Sequence, residues 1–195
     1  MTAGRPPAQP MPLAGGAGLL ERAITYTLGA LHPVTAAAMS APTPCRSWDL
    51  RALLAHLDES LAALHEAAAL GRVCLAVPRP RPPADPVTAV RERASLLLGE
   101  WTSTRHAAAT VGDAALTTAV LATAGAVEVA VHGWDVARSV GGDRPLPPAL
   151  AEELLELTPF LVTGVDRPVR FAAPVAVPPH APAGDRLLAY LGRRP

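Results

Sequence analysis

Leu50-Arg-Ala-Leu-Leu-Ala-His-Leu-Asp-Glu-Ser-Leu-Ala-Ala-Leu64 is the stretch that sets the fold class. Leu50, Leu54, Leu57, Leu61 and Leu64 recur at four-three spacing, with no Gly or Pro between them. That period places one apolar stripe along an α-helix, to be buried against neighbours. The spacing predicts a helix from about Trp48 to Leu70, with Ser47 as N-cap and Asp49 in the first turn, where a carboxylate suits the helix dipole. His56 stands about 120° from the middle of the stripe, at the edge of the prospective core.

Outward from this helix the same pattern repeats. Leu20, Ile24, Leu28 and Leu31 predict a helix over 18–40, kinked or divided at Pro33. Ala41-Pro-Thr-Pro-Cys-Arg-Ser47 is a connector, since two prolines break the period. After a proline-rich loop over Ala76 to Asp85, Val87, Val90, Ala94, Leu97 and Trp101 predict a third helix from Pro86 to about Ala109. A fourth covers about Thr117 to Val140 and closes at Gly141-Gly142. A fifth, about Pro147 to Leu161, carries Leu150, Leu154, Leu157 and Leu161. The tail reads as extended Phe171-Ala-Ala-Pro-Val175 and a short helix near Asp185 to Leu191. The expected architecture is an all-α bundle of four principal helices with a small C-terminal appendage, residues 18–195 forming one domain behind a flexible tail at 1–17.

Composition agrees. Of 195 residues half are apolar, mostly Ala, Leu and Val, and only 4% are aromatic, which favours close-packed helices over a β-sandwich. The 17 basic side chains are all Arg, balanced by 17 acidic ones, so no net field draws the chain to nucleic acid or an anionic membrane. Arg in place of Lys, with 22 Pro, points to a GC-rich genome of the actinobacterial kind. Cys45 and Cys74 have no pairing motif and read as buried free thiols. The first residues lack the apolar region of a signal peptide, and the run from Thr117 to Val131 is too short to span a bilayer; a cytoplasmic protein is expected. The surface is compatible with a homodimer without requiring one.

Chemistry concentrates in Val127-Glu-Val-Ala-Val-His-Gly-Trp-Asp135. Glu128, His132 and Asp135 fall within roughly 60° of one another on a helical wheel, on the side of Leu121 and Ala124. A carboxylate and an imidazole do not enter an apolar interior without partners. Glu128 and His132 make two-thirds of a His₂Glu metal set, and His56, on a facing helix, is the best candidate for the third ligand. The bland alternative is a pair of hydrogen-bonded core residues. His32, His65, His106 and His180 read as solvated or core residues. Asp135 is expected to orient a ligand imidazole or to pair within the bundle, for instance with Arg138, in preference to acting as a general base. Trp48 and Trp134 are expected to brace the helix ends, and Cys45 to be structural.

Four stretches carry a resemblance. Pro42-Thr-Pro-Cys-Arg-Ser-Trp-Asp-Leu-Arg-Ala-Leu-Leu-Ala-His-Leu57 and Glu128-Val-Ala-Val-His-Gly-Trp-Asp-Val-Ala-Arg138 resemble the two signatures of the mycothiol-dependent maleylpyruvate isomerase metal-binding domain family, within the DinB-like superfamily. Arg170-Phe-Ala-Ala-Pro-Val175 and Asp185 to Pro195 are similar to the ending of its small actinobacterial members, which lack the larger C-terminal domain of the isomerase. The resemblance implies a DinB-like four-helix fold and a divalent metal, usually zinc, on His56, Glu128 and His132. It also implies mycothiol as a candidate cosubstrate. Three functions follow as expectations: a metal-dependent enzyme that activates a low-molecular-weight thiol or water for transfer or isomerisation, a non-catalytic binder of a small ligand, or a natural-product tailoring enzyme using the metal as Lewis acid.

Overall fold

A computed structural model describes residues 16–45, 48–74, 84–167 and 171–195. Four long helices make the frame: α1 (Gly16–Ala30), α2 (Leu50–Leu70), α3 (Pro86–Ser103) and α4 (Thr118–Ser139). α1 lies along α4, α2 along α3, and α2 also meets α4. Two shorter helices follow, α5 (Pro148–Leu161) and α6 (Ala183–Tyr190), packed on each other beside the bundle. The helical bundle expected from the leucine spacing is therefore what the chain forms. Leu50, Leu53, Leu54, Leu57 and Leu61 of α2 are each at most 1% exposed, so the stripe is the core.

The boundaries show where local chemistry overrides period. The first helix stops at Ala30 instead of bending through to residue 40, and Ala36–Ser40 forms only a 3-10 turn. Pro33 offers no N–H to continue the ladder and its ring crowds the residue before it, so the helix gives way to turns, with His32 N bonded to Gly29 O and Val34 N to Leu31 O. α2 begins at Leu50, with Asp49 as its N-cap: the Asp49 carboxylate accepts from Ala52 N at 2.8 Å. Ser47, expected in that role, lies outside the described residues, as do residues 1–15 of the expected tail and 76–83 of the proline-rich loop. Gly16 and Ala17, assigned to the tail from sequence, are helical. α4 ends as expected, with Gly142 N bonded to Ala137 O at 2.9 Å.

α3 ends six residues short of its expected limit. In the place of its last turns is a hairpin, β2 (Ala108–Val111) and β3 (Ala114–Thr117), with β1 (Arg72–Val73) added parallel to β2, giving the order β1-β2-β3. The two turn residues are Gly112 and Asp113, and Gly112 has φ 59°. Glycine in the first central position is what a two-residue hairpin turn of this hand requires. The hairpin feeds directly into α4, whose N-cap Thr117 accepts from Val120 N.

α1 and α4 approach closely because of Gly133. A Cβ there would collide with the Thr27 hydroxyl and lie 3.1 Å from Thr27 Cα. The Thr27 hydroxyl in turn donates to Val129 O across the interface at 2.8 Å, satisfying a fully buried polar group. This contact holds α4 in a rotation that turns Glu128 and His132 toward α2. No described helix is long and apolar enough to cross a membrane.

Candidate metal centre

His56 projects from the second turn of α2, and Glu128 and His132 from successive turns of α4. Their polar atoms converge on one oxygen. His56 Nε2 lies 2.6 Å from Glu128 Oε1, His132 Nε2 lies 3.3 Å from it, and the Ser60 hydroxyl donates to it at 3.1 Å. The i,i+4 spacing on α4 and the four-residue step from His56 to Ser60 on α2 produce this convergence directly. The Trp48 ring covers the imidazoles, its centroid 4.6 Å from that of His56 and 6.1 Å from that of His132. Trp48 thus packs on the histidines instead of merely bracing a helix end. Trp134 is buried, with the Arg138 guanidinium over its ring at 5.5 Å.

Burial is graded across the cluster. The side chains of His56 and Glu128 are 33% and 30% exposed, whereas those of His132 and Asp135 are 8% and 0% exposed. The cluster therefore opens to solvent on the His56 side and closes behind His132.

Behind His132 is a second layer. His132 Nδ1 is 2.9 Å from Asp135 Oδ2, and Asp135 also accepts from Arg193 Nη2 at 2.9 Å and from the Cys45 thiol at 3.3 Å. Arg193 Nε reaches the other carboxylate oxygen at 3.4 Å. Asp135 pairs with these groups and not with Arg138, the partner suggested by its i+3 position. Cys45, expected to be structural, faces the site, its sulfur 3.9 Å from His132 Nδ1. Cys74 is exposed, contrary to the expectation of two buried thiols. Arg193 and Ser60 are the members of the cluster that sequence reading misses. Ser60 carries a signal, one turn after His56 on the same face. Arg193 carries none, because only tertiary packing brings it to α4. None of His32, His65, His106 and His180 joins a candidate metal group among the described residues.

The electrostatics follow from the same contacts. Burial pushes the Glu128 carboxyl up, but the two histidines outweigh it and hold the pKa well below the usual carboxylate range. Burial likewise opposes the charged form of His132, yet Glu128 and then Asp135 raise it well above an ordinary histidine. Asp135 is held low against its burial by His132 and Arg193. Without a metal, the centre is a chain of alternating charge that becomes more buried inward from Glu128: carboxylate, imidazolium, carboxylate, guanidinium.

A cation suits this chain once it takes the place of the His132 Nε2 proton. His56, Glu128 and His132 offer donor atoms within 4.8 Å of one another, and two imidazoles with one carboxylate are a zinc-type set. Tetrahedral bonds of the usual length place neighbouring ligand atoms about 3.4 Å apart. The His132–Glu128 separation of 3.3 Å already matches. The His56–Glu128 contact of 2.6 Å must widen, and a side chain one-third exposed has room to do so. Because Asp135 is an acceptor, it claims the Nδ1 proton of His132 and leaves Nε2 as the donor atom toward an ion. Cys45, His132 and Asp135 form a second group of the same compactness on the opposite side of the ring.

A family model described as "Mycothiol maleylpyruvate isomerase N-terminal domain" matches residues 20–137. The match runs from within α1 to just past the Glu128–Asp135 motif, and so takes in the parts of α2 and α4 that carry the cluster. Among curated proteins and among solved structures, none gives a significant match.

Proposed function

The chain belongs to the mycothiol maleylpyruvate isomerase N-terminal domain family, and from that premise we propose a metal-dependent enzyme in which His56, Glu128 and His132 hold a divalent ion, zinc by choice of donors. The observation that carries the reading is the convergence of two imidazole Nε2 atoms on Glu128 Oε1 at the open edge of the bundle. A bound divalent ion supplies Lewis acidity and lowers the pKa of a thiol or water brought to it.

The protein's own groups do the remaining work. Asp135 holds the Nδ1 proton of His132 and fixes the ring, while the Ser60 hydroxyl orients Glu128 from α2. Trp48 shields the imidazoles from water on one side, and the exposure of His56 and Glu128 leaves the approach for a small molecule on the other. The substrate class we propose is a low-molecular-weight thiol of the mycothiol type, transferred or used to assist an isomerisation.

Calorimetric titration with mycothiol tests this. Metal-loaded wild-type protein binds it, and the metal-free protein and His56→Ala do not. Equal binding by the metal-free protein would contradict a role for the ion and favour a simple ligand-binding protein.

A further inference from the structure

His132 belongs to two candidate cation groups at once. On its Nε2 side stand His56 and Glu128, and on its Nδ1 side stand Cys45 and Asp135. Both have metal-ligating chemistry; the second, with a thiol, suits soft ions at least as well as the first. One imidazole proton decides between them, since the nitrogen that carries it cannot ligate.

The two sides differ in Arg193. Its Nη2 is 2.9 Å from Asp135 Oδ2 and 3.5 Å from Cys45 Sγ, so the guanidinium lies against the second group and fills the cation's role there. The side chain is only 11% exposed and stays charged at any ordinary pH. Its backbone is anchored as well: Arg193 N bonds to Leu188 O at 2.9 Å, and its Nη1 to Leu191 O at 3.1 Å. Arg193 lies outside the residues matched by the family model.

We propose that Arg193 is the positioning residue that assigns the two nitrogens of His132, excluding a metal from the Cys45–His132–Asp135 group and directing it to His56, Glu128 and His132. This rests on the metal reading above. Two physical effects combine. The fixed positive charge repels a divalent ion from the Cys45 side. The fork also holds Asp135 where it binds the Nδ1 proton, which leaves Nε2 free for the other side.

Cobalt(II) distinguishes the sites, because thiolate ligation gives a near-ultraviolet charge-transfer band that imidazole and carboxylate do not. Wild type, Arg193→Met, Arg193→Met with Cys45→Ser, and His56→Ala are titrated with Co²⁺ against a competing chelator, with far-ultraviolet circular dichroism to check folding. Wild type binds one Co²⁺ without a thiolate band. Arg193→Met binds about 10- to 100-fold more weakly at the original set and acquires a thiolate band that Cys45→Ser removes. A purely structural role for Arg193 would not produce that band. If Arg193→Met does not fold, Arg193→Gln, which removes the charge and keeps a hydrogen-bond donor, replaces it: the thiolate band is again expected, with a smaller loss of affinity at the original set. A thiolate band in wild type, or wild-type affinity and spectrum in the Arg193 variant, overturns the proposal. Loss of Co²⁺ in His56→Ala beside an unchanged Arg193 variant defeats this inference alone, and wild-type Co²⁺ binding by His56→Ala defeats the metal reading with it.

Discussion

Asp135 is the residue on which the chemistry of His132 depends. It is fully buried and accepts from an imidazole, a thiol and a guanidinium. Replacing it with Asn keeps the shape, removes the charge and places a donor where an acceptor is required. Metal affinity should fall about 10- to 100-fold, as measured by chelator competition, and a variant that binds as tightly as wild type would show that Asp135 does not orient the ligand. The residue scale is also where sequence was most and least legible. Glu128 and His132 stand out because nothing else in their apolar helix is ionisable until Asp135. Cys45 and Arg193 do not, because their role depends on a connector and a C-terminal segment folding over the end of α4, which no local pattern encodes.

At the scale of elements, the site depends on how α4 is seated against α1 and α2. Gly133→Ala would press a methyl group against Thr27 and force the helices apart. Overpacking of this kind costs about 1–3 kcal/mol, to be read from urea denaturation, and the displacement of Glu128 and His132 relative to His56 should weaken metal binding as well. Unchanged stability would mean that the helix contact is not tight. Asp49→Ala, which removes the cap of α2 some two turns from His56, should cost about 1 kcal/mol with little effect on the metal. Helix existence was readable from the leucine period, because burial of one stripe is the dominant local constraint. The hairpin at 108–117 is hidden in the sequence, although Gly112-Asp113 marks its turn. Ala107, Ala108 and Ala109 continue the composition of the preceding helix, so propensity concealed the turn.

For the whole molecule, the charge chain makes stability depend on pH in opposite directions with and without metal. In the metal-free protein the raised pKa of His132 contributes stability that is complete below an ordinary histidine pKa and is lost as pH rises through the raised value. The lowered pKa values of Glu128 and Asp135 contribute stability above the ordinary carboxylate range, lost as pH falls through their folded values. Metal-free protein should therefore melt at progressively lower temperature as pH rises from about 6.5. Metal must displace the proton on His132 Nε2, so affinity tightens over the same range and the metal-bound protein should not show that alkaline loss. An ion present at 100 times its Kd adds about 2.7 kcal/mol, which a chelator should remove. The most direct measurement is the metal content of protein purified anaerobically without added ions, by elemental analysis of wild type and Glu128→Gln side by side. One divalent ion per wild-type chain and loss of most of it in Glu128→Gln is the predicted result. Wild-type protein that is folded and metal-free, or a Glu128→Gln variant with equal metal, would contradict the account.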